Sequence, residues 1–138
     1  MSPSRDDYTS SISLVILGEE LDPAQVSGAL ELESHDSWKK GQRKTVGVQV
    51  HQWGGWKRRL PPDLERAPFE DQLNYWINEL LVKEEALETV VQFGNRAVLD
   101  CFVNADAAWF KLSPQLLQKL AKLPVDMEFT FWSSSSAA

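Results

Sequence analysis

Apolar and polar positions alternate along this chain at two periods, and the switches between them mark its elements. Residues 11–17, Ser-Ile-Ser-Leu-Val-Ile-Leu, form an apolar, β-branched run ended by Gly18. That pattern predicts a central strand with both faces partly buried. Asp22 and Pro23 follow, and a short carboxylate beside a ring of fixed φ predicts a helix start. The helix runs to about Leu30 and sets Val26, Ala29 and Leu30 on one side. Residues 33–41 are polar apart from Trp38, which predicts a loop with a short strand around 37–40. In residues 45–53, Val46, Val48 and Val50 recur at period two opposite Gly47, Gln49 and His51. Such alternation predicts a half-buried antiparallel strand. The pair Gly54-Gly55 then permits positive φ or a bulge before Trp56, and Pro61-Pro62 stops regular structure.

Pro68 opens the longest helical pattern. Phe69, Leu73, Trp76, Ile77, Leu80, Leu87 and Val91 recur at offsets of three, four and seven, which predicts one long amphipathic helix or a kinked pair. Gly94-Asn95 closes it. Residues 97–103 read as a second strand buried on both faces except at Asp100, and 109–112 as another short one. Ser113-Pro114 repeats the cap-and-proline start ahead of Leu116, Leu117, Leu120 and Leu123, and residues 127–132 alternate as a final strand. The echo between Leu21-Asp22-Pro23 and Leu112-Ser113-Pro114 marks both as strand-to-helix junctions. Helices alternate with strands, and a polar strand face persists. The expected architecture is α+β, a mainly antiparallel sheet of about five to six strands with helices packed on one face. One domain is expected over residues 11–132, between flexible ends at 1–10 and 133–138.

Composition supports a single core. The chain has 138 residues, 43% of them hydrophobic and 10% aromatic, enough apolar surface to offset chain entropy without disulfides or metal. Its single cysteine, Cys101, cannot form an internal bridge, which points to a reducing compartment. No signal-like or membrane-length apolar run occurs, so a cytoplasmic location is expected. The net charge of −6 repels phosphate backbones and anionic membranes and favours a basic partner.

Several of these features also carry a resemblance. The strand ending in Gly18-Glu19-Glu20-Leu21-Asp22-Pro23, the later Ser37-Trp38-Lys39-Lys40-Gly41, the Gly55-Trp56 pair and the closing Leu112-Ser113-Pro114-Gln115-Leu116-Leu117 resemble the bacterial family numbered 4279 among domains of unknown function. The resemblance covers roughly residues 11–132, and the order and spacing of its motifs carry it. It implies no established activity, although small families of this type often include antitoxin-like immunity proteins.

Candidate chemistry is sparse. A nucleophile triad needs Ser or Cys beside His and an orienting acid, yet only His35 and His51 occur and Cys101 lies in an apolar strand. Zinc needs Cys or His at short spacing, which is not present. Neither a P-loop nor a Gly-x-Gly-x-x-Gly motif occurs. Asp100 sits within an apolar strand and is expected either to face solvent or to meet Arg96 or Lys111. The basic runs at 39–44 and 57–59, with Trp53 and Trp56 between them, form a local nucleic-acid-like patch, which the acidity of the whole chain opposes.

Tryptophan is the more unusual feature, with six copies. Trp76 falls on the apolar helical stripe, while Trp109 and Trp132 are expected to close the sheet edges. Trp38, Trp53 and Trp56 lie in polar or Gly-rich surroundings. They read either as interface anchors or as covers of the open sheet face. The leading expectation is a non-enzymatic protein-binding domain, an immunity protein that blocks a basic bacterial toxin. Trp38, Trp53, Trp56, Asp63 and Glu65 would contact the partner, and no catalytic residue, metal or cofactor is expected. The alternative is a small-ligand module with its pocket between the sheet and the long helix, Trp38 and Trp56 at its mouth. An enzyme built on Asp100, Asp106, Lys111 and His51 has no positive support.

Overall fold

The computed structural model describes residues 9–43, 49–105 and 110–133. Most of the expected flexible ends, residues 45–48 of the expected strand at 45–53, and Asp106 and Trp109 lie outside that set. The chain folds as β1 (Thr9–Gly18), α1 (Pro23–Leu30), β2 (Asp36–Trp38), β3 (Gly54–Arg58), α2 (Phe69–Val82), α3 (Glu84–Gln92), β4 (Arg96–Asn104), α4 (Pro114–Leu120) and β5 (Val125–Trp132). A 3-10 turn at Pro62–Leu64 precedes α2. The strands form one five-stranded sheet in the order β2-β3-β1-β4-β5. β1 runs antiparallel to β3 and β4, as does β2 to β3, while β4 and β5 are parallel. The parallel pair needs a crossover, and α4 supplies it. The α+β class and the mainly antiparallel sheet follow the sequence pattern.

Helix starts are set by the residues that the sequence offers. Asp22 Oδ1 accepts from the Ala24 amide at 3.1 Å, with Pro23 in the first turn. Ser113 Oγ accepts from the Leu116 amide at 3.1 Å ahead of Pro114. Each cap satisfies one amide that the first helical turn leaves unpaired. The long apolar stripe resolves into a kinked pair, α2 and α3, joined at Lys83. Two details differ from the pattern. Gly54 and Gly55 begin β3, and neither uses the positive φ that the pair permits. Residues 110–112 have no regular structure, so α4 follows a loop instead of a short strand.

β1 is the centre of the sheet. Its even-numbered side chains, Ile12, Leu14 and Ile16, are fully buried with Phe69, Leu73, Trp76, Ile77 and Leu80 of α2. This layer packs the sheet against the long helix. β3 pairs with β1 only as far as Leu14 opposite Arg58. Beyond that point the carbonyls of Ser10 and Ile12 have no strand to accept from, and α2 supplies the donors. Trp76 Nε1 donates to Ile12 O at 2.7 Å, and Gln72 Nε2 donates to Ser10 O at 2.9 Å and to Leu64 O at 3.0 Å. The Ser10 hydroxyl donates back to Gln72 Oε1 at 2.9 Å. The fully buried Gln72 amide therefore replaces a strand and fastens the turn before α2.

Cys101 is buried on the helix side of β4. Burial, reinforced by the charge of Asp100, pushes its thiol up to about 12. Because the folded value lies above the unfolded one near 9.0, the thiol's contribution to stability is whole below the unfolded value. It is lost as pH rises through the folded value.

Two outcomes are expected. Gln72→Leu keeps the size of the side chain but strands buried carbonyls, and should lower stability by about 1–3 kcal/mol, read as a shift in the urea midpoint at constant slope. An unchanged midpoint would mean that the amide does not complete β1. Cys101 should resist thiol reagents at neutral pH until the protein unfolds, and Cys101→Ala should flatten part of the alkaline loss of stability. Rapid labelling of the native protein would contradict this burial.

Candidate functional site

The side chains opposite the core face of the sheet follow from register. Across neighbouring strands, Trp38, Gly55, Leu17 and Arg96 form one row, and Asp36, Lys57, Val15, Val98 and Asp126 the next. Ser13, Asp100 and Glu128 form a third. All four helices pack on the other face. No described helix covers this face, and among its described strand residues the carboxylates Asp36, Asp100, Asp126 and Glu128 outnumber the cations Lys57 and Arg96. Arg96 is drawn to β5, with Nη2 3.1 Å from Glu128 and Nε 3.8 Å from Asp126. Asp100 is half-buried and has no ion pair with Arg96. Among the described residues, no group of His, Cys, Asp or Glu is arranged to hold a metal ion.

An aromatic cleft occupies the end of this face near Gly18. It has a volume of about 550 Å³ and is lined by Leu17, Trp38, His51, Trp53, Gly94 and Arg96. The Trp38 indole stacks on the His51 imidazole, with ring centroids 4.9 Å apart and planes 21° apart. Trp53 stands at the rim, 53% exposed. Gly55 makes the floor possible. A Cβ placed there would lie 2.1 Å from Trp38 Cζ2, so the indole rests directly on the backbone of β3. The loop carrying His51 is pinned by His51 N–H to Gln42 O and Gly41 N–H to His51 O, both 2.8 Å. Of the strand expected at 45–53, the described residues show only a bridge between Val50 and Arg43.

The expected contact residues part company here. Trp38 and Trp53 meet in the cleft. Trp56, three residues beyond Trp53, lies fully buried on the core face, where its Nε1 donates to Ser27 Oγ at 3.0 Å. Strand alternation turned it inward, so it is not a surface anchor. Asp63 and Glu65 are exposed but sit beside the start of α2, at the Ser10 end of β1. That is about 20 Å along the strand from the cleft at 3.3 Å per residue. The basic runs also divide. Lys40 pairs with Glu19 at 3.1 Å and Glu20 at 3.5 Å, Arg58 Nη1 donates to Glu33 O at 2.6 Å on the helix side, and Lys57 lies opposite Asp36. His35 Nδ1 accepts from the Arg59 amide at 2.8 Å. Loss of hydration, then the charges of Arg58 and Arg59, lower its pKa.

Leu17, Asp126 and Glu128 join the face without having been singled out by sequence, and Arg96, named only as a possible partner of Asp100, joins it too. Alternation in β5 separates Glu128 from Phe129, but only register across strands shows which side stays uncovered.

Gly55→Ala should displace the Trp38 ring, at a cost of about 1–3 kcal/mol for overpacking. Both unfolding midpoint and tryptophan emission should change, whereas Gly28→Ala, with open space around its site, should leave the emission unaltered. Equal spectra for the two variants would refute the contact.

No helix among the described residues is long and apolar enough to cross a membrane. No curated protein and no solved structure matches the chain. The family described as Domain of unknown function (DUF4279) matches residues 7–134. The match spans all five strands and all four helices, and the chain belongs to that family.

Proposed function

We propose that the chain is a non-enzymatic protein-binding domain whose working surface is the uncovered sheet face, centred on the aromatic cleft. The observation that carries this reading is Trp53, half-exposed beside a stacked Trp38–His51 pair on a face with an excess of carboxylates. A large amphipathic ring with few rotamers gains contact area at small entropic cost, and buried tryptophans dominate interface energetics. Surrounding carboxylates favour encounter with a basic partner and set the salt dependence of association. In its most concrete form the partner is a basic bacterial toxin, which the chain blocks as an immunity protein. The cytoplasm would be the natural place for such an inhibitor. Asp63 and Glu65, remote from the cleft, could act in this reading only as a second contact.

A planar small ligand is the second reading, favoured by the cleft's volume and its stacked aromatic floor.

The test begins with the genes beside this one in its host. A toxin encoded there should bind the purified chain, and co-production should protect cells. Trp53→Ala should weaken that binding by about 2 kcal/mol, roughly thirtyfold, and Asp126→Lys should slow association at low salt. Absence of a neighbouring toxin would sink the immunity reading. A bound partner indifferent to both substitutions would place the working surface elsewhere. Saturable quenching of tryptophan emission by a small molecule, lost in Trp38→Ala, would favour the ligand reading.

A further inference from the structure

β5 is an edge strand with unusually little to protect it. Its eight residues, Val125–Trp132, include no Pro or Lys, two residues with which natural edges discourage pairing. Its only charges, Asp126 and Glu128, are both engaged by Arg96 on the uncovered face. The Trp132 carbonyl accepts from the Ala105 amide on the β4 side. Alternation therefore directs the backbone N–H and C=O groups of Val125, Met127, Phe129 and Phe131 away from β4, toward the free edge. Among the described residues, none donates to or accepts from them. The side chains on the helix side of this edge are also wet: Phe129 is 41% and Phe131 61% exposed, although their rings stack with centroids 6.1 Å apart.

We infer that β5 pairs antiparallel with β5 of a second copy of this chain, joining two sheets into one of ten strands. The strand's own sequence is what selects a second copy. A two-fold axis through Phe129 sets Phe129 opposite Phe129, Phe131 opposite Met127, Glu128 opposite Thr130 and Asp126 opposite Trp132. Every outward-pointing residue then meets an outward-pointing residue, and no like charges face each other. A shift of the axis to Glu128 or Met127 would oppose Glu128 to itself or Asp126 to Glu128, which is destabilising. The contact is isologous and closes on itself, so it yields a dimer and no fibre. It also leaves Trp38 free, since β2 is the opposite edge of the sheet from β5.

The full-length chain should show a concentration-dependent dimer mass in sedimentation equilibrium across the micromolar range. Phe131→Lys should remain folded by circular dichroism and be monomeric under the same conditions. The register has its own readout, independent of that variant. Glu128 and Thr130 of opposite copies fall in a non-hydrogen-bonded pair, where Cα atoms lie about 4.5 Å apart. The double variant Glu128→Cys, Thr130→Cys should therefore form a reducible covalent dimer on mild oxidation, while Cys101 stays buried. A monomer mass at every concentration overturns the inference. So does a dimer that survives Phe131→Lys and fails to cross-link, or an edge that pairs only with a foreign extended peptide.

Discussion

β1 lies in the middle of the sheet but outruns the strand on one of its sides. β3 ends opposite Leu14, and the carbonyls of Ser10 and Ile12 would be buried without donors. A buried carbonyl left unpaired costs free energy on the scale of a lost hydrogen bond. Two side chains of α2 remove that cost, the Trp76 indole and the Gln72 amide. The consequence is positional. α2 must lie within hydrogen-bonding reach of the short end of β3, and its apolar stripe is thereby fixed over Ile12, Leu14 and Ile16. α1, α3 and α4 gather around the same side, where Leu30, Leu87 and Leu123 complete the core. The other side of the sheet carries the carboxylates beside Val15 and Val98, and the aromatic cleft.

Much of this was legible because local pattern and tertiary role agree. The strand at β1, the capped starts of α1 and α4, the broken stripe of α2 and α3 and the alternation of β5 all follow from spacing and cap chemistry. What escaped was decided by register. Trp53 and Trp56 occupy similar Gly-rich surroundings in sequence, yet one is at the rim of a cleft and the other is the largest class of fully buried side chain. The difference arises because Gly54 and Gly55 extend into a strand. Pairing with β1 puts Trp56 opposite Ile16, on the core side. Glycine's permissiveness pointed toward positive φ or a bulge, whereas what Gly55 supplies is room for the Trp38 ring.

The candidate face was less legible than the fold. Two of the expected contact residues, Trp38 and Trp53, come together in the structure. Asp63 and Glu65 do not join them, because the chain leaves β3 toward the helix layer before reaching them. Of the two outcomes open to Asp100, solvent or a cation, no ion pair with Arg96 or Lys111 forms, since the parallel β5 brings Asp126 and Glu128 to Arg96. No reading of one strand alone could show that, because a charge on a sheet is defined by its neighbours on two flanking strands.

The order in which the sheet is completed has a consequence for synthesis. β1 is translated before both strands that flank it, and its partners occupy residues 54–58 and 96–104. During elongation this apolar, β-branched segment has no lasting shelter until β4 has left the ribosome. Long-range pairing of this kind is slow to form and leaves a sticky intermediate exposed. The interior of the finished sheet is thus the nascent chain's most vulnerable segment, and a chaperone would recognise the protein by residues that the native fold hides.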